Sequence, residues 1–252
     1  MNLIPKKIHF IWFGTKENFI YDDNRMKKFA PEYDIKIWKE EDFNWDELNK
    51  IPFVKKAYEE QRWSFLSDYI RLKILYEEGG IYLDHDMKIL KNLDHLINKN
   101  KELILCFENT VTLSMGFAAS VPKNKFFKEL KEIYENYEKG NFIIGNIIWD
   151  YVAKKQFNFK LNGKYKENNK YIVYDYEKFS LIKESKKTKI LNNQYFIHNH
   201  QVTWVPKNLR KPIRLVIFLS QKITFINKGY WIFYFWPKLQ LKKNYINKMY
   251  KN

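Results

Sequence analysis

One cysteine, Cys106, stands in 252 residues, which excludes a disulfide framework and a cysteine-built zinc site and permits a reducing compartment. No run approaches the roughly 18–20 apolar residues that a spanning helix needs. The opening Met1-Asn2-Leu3-Ile4-Pro5-Lys6 carries no apolar signal core, so the expectation is a protein made and kept in the cytoplasm. Glycine is scarce, at eight residues, and forms neither a Walker loop nor Gly-x-Gly-x-x-Gly. Phosphates would therefore be handled by a metal and basic groups, not by a glycine cradle. Acid is absent after Glu184. All 29 Asp and Glu lie at or before that position, and 14 Lys and Arg follow it, so most of the formal charge of +16 sits in the tail.

A one-signed block of this kind points to an anionic partner. Nucleic acid is one candidate. The cations, however, interleave with Val216-Ile217-Phe218-Leu219 and with Tyr230-Trp231-Ile232-Phe233-Tyr234-Phe235-Trp236. Trp and Tyr beside Lys suit the headgroup layer of an anionic membrane better than a nucleic-acid groove. The competing reading is a C-terminal helix pair whose aromatic face packs on the core.

The most informative stretch is central. From Phe65 to Tyr76 the apolar residues follow a helical period, with Ser64 as the expected N-cap and Gly79 where a left-handed C-cap glycine belongs. Ile81-Tyr82-Leu83 then reads as a short apolar strand delivering Asp84 and Asp86 at its carboxyl end. In extended chain, positions i and i+2 face the same side, so two carboxylates are aimed together where open α/β sheets bind ligands. A hard divalent ion is their natural partner. A lone Asp-x-Asp is more often a solvated loop, but Asp68 and Arg71, three apart on the preceding helix, add an acid and a fork-shaped donor to the neighbourhood.

Ser67-Asp68-Tyr69-x-Arg71-Leu72 followed by Gly79-Gly80-Ile81-Tyr82-Leu83-Asp84-x-Asp86 resembles the sugar-binding Asp-x-Asp region of a retaining glycosyltransferase family. That family includes bacterial capsule and lipopolysaccharide transferases and yeast initiating mannosyltransferases. The glucosyltransferase domains of large clostridial toxins are close relatives. Ile4-Pro5-Lys6-Lys7-Ile8-His9-Phe10-Ile11-Trp12-Phe13-Gly14 is similar to the family's opening strand. The segment from Tyr195 to Trp204 is similar to its closing His-His-to-Ser-Trp motif, with Asn199 between the histidines and Thr203 in the serine position. Leu113-Ser114-Met115-Gly116 matches the family's Asn-Gln-Gly segment only at glycine.

The resemblance implies a GT-A-type catalytic domain over 1–204, with 205–252 as a basic, aromatic, helical extension. It implies that Asp86 is the direct metal ligand and that Asp84 bridges metal, ribose and sugar. Asp68 and Arg71 would hold the sugar hydroxyls, with Tyr82 in the same donor site. Trp12 would stack on the base, where ordinary core packing is the alternative, and Trp204 would close over the diphosphate. His198 and His200 alternate, and either could face the metal. Mixed carboxylate and imidazole ligation suits Mn²⁺ better than Ca²⁺, with Mg²⁺ as the alternative ion. Retention without an evident enzyme nucleophile implies a same-face mechanism.

The rest of the chain fits that frame. Strands are expected at 7–12, 34–38, 102–107, 113–120, 171–174 and 195–198, with helices at 22–29, 124–137 and 142–155. Pro52 opens a helix carrying into 62–76, and 163–170 and 185–189 read as polar loops. This alternation predicts an α/β, Rossmann-like mixed sheet flanked by helices.

The functional expectation is a metal-dependent retaining hexosyltransferase moving a sugar from a nucleoside-diphosphate sugar, UDP-hexose first. The acceptor would be a saccharide or lipid-linked saccharide of bacterial surface polysaccharide or lipopolysaccharide synthesis. The enzyme would act on the inner face of the cell membrane and bind no nucleic acid. A toxin-like protein glycosyltransferase is the nearest alternative. A glycoside hydrolase using Asp84 and Asp86 as its acid and base, or a basic nucleic-acid-binding module, would be a different class.

Overall fold

Three short apolar runs, Lys7–Ile11 (β1), Asp34–Trp38 (β2) and Gly80–Leu83 (β3), lie side by side and parallel at the heart of the computed structural model. The structure describes residues 3–13, 22–97, 99–109, 112–137, 142, 145–158, 161–176, 179–180, 194–198 and 211. Leu103–Cys106 (β5), Phe117–Ser120 (β6), Lys166–Glu167 (β7) and Tyr171–Tyr174 (β8) complete a seven-stranded sheet of order β2-β1-β3-β6-β5-β8-β7. β6 is antiparallel to both of its neighbours and β7 to β8, while β5 and β8 are parallel. The five strands β1, β2, β3, β5 and β8 therefore all run in one direction. A second sheet, order β4-β10-β9, joins Met87–Ile89 (β4), Phe196–His198 (β10) and Phe179–Ser180 (β9).

Both faces of the large sheet are covered, as an α/β fold requires. Helices Pro52–Glu59 (α3), Trp63–Glu77 (α4), Lys125–Glu135 (α6) and Gly145–Phe157 (α7) share one core with Tyr82, Leu105 and Val173. Asp23–Phe29 (α1), the short Asp94–Ile97 (α5) and the small sheet share the other with Ile8, Ile81 and Ile104. A further short helix, Trp45–Leu48 (α2), follows β2. On α6 the helical spacing of Phe126, Phe127, Leu130 and Tyr134 buries all four. Each large apolar side chain so buried contributes roughly 1.5–3 kcal/mol.

The expected α/β class, with a mixed sheet flanked by helices, is the one observed. Several local expectations need correction. The helix from Pro52 does not carry through: Gln61 takes a left-handed φ of 51°, Arg62 N–H returns to Ala57 O at 2.8 Å, and α4 restarts at Trp63. Its N-cap is Arg62 without a side-chain cap, and Ser64 lies within the first turn. The strand expected at 113–120 begins at Phe117, with Leu113 making only an isolated bridge to Phe107. The loop expected at 163–170 contains β7. No described helix is long and apolar enough to cross a membrane. The extension 205–252 lies outside the described residues except for Lys211.

The entry to β3 depends on backbone freedom and on one histidine. Gly79 and Gly80 have φ of +66° and +83°, and a Cβ on Gly79 would stand 2.7 Å from Pro122. His9, 2% exposed, bonds Gly79 O through Nε2 at 2.9 Å and accepts Trp38 Nε1–H at Nδ1 at 3.1 Å. Because the indole can only donate, Nε2 carries the proton and the ring is neutral. Burial lowers its pKa to about 4. A lowered histidine leaves the unfolded chain binding the extra proton, so its stability contribution is lost as pH falls from about 6.5 toward 4. By linkage that loss is on the order of 3 kcal/mol. Urea unfolding at pH 7 and pH 4.5 should show wild type losing more stability than His9→Gln; equal losses would remove His9 as the cause.

Candidate active site

The acidic pair sits at the carboxyl end of β3, but not in extended chain. Met87 N–H bonds Asp84 O at 3.0 Å, closing a turn over Asp84-His85-Asp86-Met87 that leads into β4. The turn, not strand alternation, brings the carboxylates together. Asp86 is also a buried residue, 5% exposed.

Their partner arrives from late in the chain. β10 pairs antiparallel with β4, and the register His198↔Met87 sets the imidazole over the turn. His198 Nε2 lies 3.1 Å from Asp86 Oδ1 and 3.6 Å from Asp84 Oδ2. One ligand atom from each of Asp84, Asp86 and His198 falls within 4.8 Å of the others. Burial works against a charged imidazole, but Asp86, Asp84 and Glu108 outweigh it and raise the His198 pKa to about 9. Gly116 makes this packing fit: a Cβ there would stand 3.1 Å from both Asp84 Oδ2 and His198 Cε1. Two carboxylates and one imidazole are a donor set that fits a divalent ion such as Mn²⁺.

Asp84 is held from the other side. Its Oδ1 accepts the Tyr82 hydroxyl at 2.7 Å and Arg71 Nη1 at 3.2 Å, leaving Oδ2 toward His198. Tyr82 is 2% exposed, with its hydroxyl committed to Asp84. Arg71, 5% exposed, is a clamp of wide reach. Its Nη2 meets Asp68 at 3.0 Å, Nη1 also donates to Met115 O at 2.6 Å, and Nε donates to Ser67 O at 3.2 Å. The i,i+3 spacing thus places Asp68 and Arg71 together and ties both to Asp84. Burial raises the Asp68 pKa to about 7; Arg71 pulls it down and Asp84 adds to the rise.

Trp12 follows β1 at the same edge, half-buried, with its ring edge-on to His85 at 4.8 Å between centroids. The structure therefore brings together Trp12, Asp68, Arg71, Tyr82, Asp84, Asp86 and His198. His200 and Trp204 lie outside the described residues. The sequence reading passed over Glu108, just past the end of β5, and Asp150 on α7. Asp150 accepts Thr112 Oγ1–H at 2.5 Å and Leu113 N–H at 2.9 Å, and burial raises it to about 7. An acid just beyond the carboxyl end of a strand is the signal that singles out Glu108.

Residues 16–103, which include the Asp84-to-Asp86 turn, match the family model described as glycosyltransferase sugar-binding region containing DXD motif. Inositol phosphoceramide mannosyltransferase 3 of Schizosaccharomyces pombe is 29% identical over 98 residues, 38% of this chain. The matched stretch spans 28% of that yeast protein. Among solved structures, PaToxG glycosyltransferase is similar with a TM-score of 0.48 and 18% identity, over 62% of this chain and 70% of that one. The apo-form glycosyltransferase GlyE in Streptococcus pneumoniae TIGR4 gives 0.45 and 11%, over 90% and 63%.

Proposed function

We propose that this chain, whose residues 16–103 carry the sugar-binding region of the Asp-x-Asp glycosyltransferases, is a metal-dependent retaining hexosyltransferase. It moves a hexose from a nucleoside diphosphate, UDP first, to a saccharide acceptor. The carrying observation is the meeting of Asp84, Asp86 and His198 at the carboxyl end of β3. These three would hold Mn²⁺ or Mg²⁺. When bound, such an ion supplies Lewis-acid neutralisation of the diphosphate charge that grows as the glycosidic bond breaks.

The chain's own groups do the positioning. Tyr82 and Arg71 fix Asp84, and Arg71 holds Asp68 beside it at the donor sugar. Trp12 offers a half-buried face for the base next to the turn. His200 and Trp204 are proposed as a second imidazole near the metal and a ring over the diphosphate. Retention without a covalent sugar–enzyme intermediate fits same-face displacement, with a leaving phosphate oxygen taking the acceptor proton.

Thermal melting with UDP, GDP and their hexose conjugates, with and without Mn²⁺, tests this reading. Ligand at a hundredfold over Kd stabilises by about 2.7 kcal/mol, which in a chain of this size raises Tm by roughly 5–10 °C. A shift that needs both nucleotide and Mn²⁺ is expected; a metal-independent shift, or none, counts against it.

The acid-free tail supports a place in bacterial surface polysaccharide or lipopolysaccharide synthesis, on the cytoplasmic face of the membrane, with a lipid-linked acceptor. Each Lys or Arg near an anionic leaflet contributes about 1 kcal/mol. Salt-sensitive co-sedimentation with anionic but not neutral liposomes is expected, and a chain that ignores both would make a soluble acceptor the better reading.

A further inference from the structure

The parallel strands all end at one edge, β1 before Trp12, β3 before Asp84, β5 before Phe107-Glu108 and β8 before Asp175. Trp12 and the acidic turn occupy the β1–β3 part of that edge. Strand order β3-β6-β5 sets Glu108 two strand spacings further along, about 9–10 Å. That offset sets Glu108 beside the acidic turn and outside the Asp84, Asp86 and His198 group.

Glu108 is held in a built environment. Its Oε2 accepts Asn146 Nδ2–H at 3.4 Å, and the same amide donates to Leu113 O at 2.9 Å. Both amide hydrogens are thus spent on positioning, and the other lone pairs of the carboxylate are left to accept from a ligand. Asn146 is the second residue of α7, and Leu113 begins the four-residue segment whose last member, Gly116, packs against Asp84 and His198. One backbone span therefore joins the Glu108–Asn146 pair to the acidic turn. Burial pushes the Glu108 carboxyl up, His198 and Asn146 hold it down, and Asp84 and Asp86 push it up again, so it shares their field. One strand further, Asp175 buries a carboxylate oxygen with no hydrogen-bond partner among the described residues.

We infer that Glu108 is the hydroxyl-binding group for a hexoside acceptor and that Asn146 is the residue positioning it. The inference rests on the glycosyl-transfer reading above. A carboxylate is a poor neighbour for a diphosphate and a strong acceptor for a sugar hydroxyl. It therefore belongs to the acceptor side of the edge, with the donor anchored at β3 and α4.

The test uses the full chain with Mn²⁺ and UDP-glucose, UDP-galactose, UDP-N-acetylglucosamine and GDP-mannose as donor probes. Methyl glycosides of glucose, galactose and mannose serve as acceptor probes. Nucleoside diphosphate release without glycoside measures hydrolysis, and new glycoside measures transfer. Glu108→Gln, which keeps shape, should lower the ratio of transfer to hydrolysis by about tenfold or more, with acceptor KM rising more than donor KM. Asn146→Ala should move the ratio in the same direction, and melting with UDP and Mn²⁺ shows whether each variant folds and holds nucleotide. An unchanged ratio, a parallel rise in donor KM, or a wild type that hydrolyses donor but glycosylates none of the hexosides overturns the inference alone. A wild type that neither hydrolyses any donor nor melts higher with nucleotide overturns the broader reading, and the inference with it.

Discussion

Replacing Asp86 by alanine is expected to lower donor hydrolysis and sugar transfer by about a thousandfold or more. The carboxylate lies 3.1 Å from His198 Nε2 and belongs to the three-residue donor set. Its loss removes one of the two carboxylates from the group that could hold a metal ion. Asp84 cannot swing across to compensate, because Tyr82 and Arg71 hold its other oxygen. Overall stability should change far less than activity, since the neighbouring apolar core, Met87, Ile89 and Phe196, is untouched. Nucleotide release assayed in wild type and variant, each with Mn²⁺ and with excess chelator, decides the matter. Undiminished activity in the variant or in chelator would mean that the acidic turn serves another purpose.

Arg71→Lys should be the most damaging charge-preserving change in the chain. A lysine offers a compact ammonium in place of a planar fork. It cannot at once reach Asp68, Asp84, Met115 O and Ser67 O, all of which the guanidinium contacts. One buried carboxylate is left without its cation, which costs about 3 kcal/mol or more. Asp84 would also lose a fixed partner, so the change should weaken nucleotide and nucleotide-sugar binding together, with the greater loss for the sugar conjugate. Chemical denaturation gives the stability term, and calorimetric titration with UDP and UDP-hexose in Mn²⁺ gives the other. A variant of wild-type stability with normal binding of both would show that Arg71 clamps nothing of consequence.

Much of this arrangement is legible in the amino acids because the signals are local. The period of 65–76, the Gly-Gly stop and the buried Ile81-Tyr82-Leu83 run place Asp84 correctly at a strand's end. Asp34–Trp38 and Tyr171–Tyr174 are visible as short apolar-rich runs between polar breaks. The break at Gln61 is not visible, because no glycine or proline marks it and it rests on a left-handed φ at Gln61 followed by non-helical backbone at Arg62. β4 is hidden for a different reason. Three residues form it, and its existence depends on pairing with β10, which no local pattern announces. The turn over 84–87 eluded the pattern as well, since alternation presumes extended chain. Arg71 reads from sequence as a fork-shaped donor beside Asp68 in the neighbourhood of the acidic pair, with no sign of its other contacts. Its true setting depends on β3 and the 113–116 segment coming alongside α4, a tertiary fact.

The pairing of β4 with β10 bears on when the molecule is finished during synthesis. Asp84, Asp86 and the strand that follows them leave the ribosome long before Phe196–His198. At typical elongation rates the interval is on the order of ten seconds. Throughout it the nascent chain holds its two carboxylates and the Arg71 clamp but lacks the imidazole, and β4 presents an open edge. The centre is thus completed only when a late segment docks. An interrupted translation product that has already formed most of the large sheet would carry the acids of the site without His198.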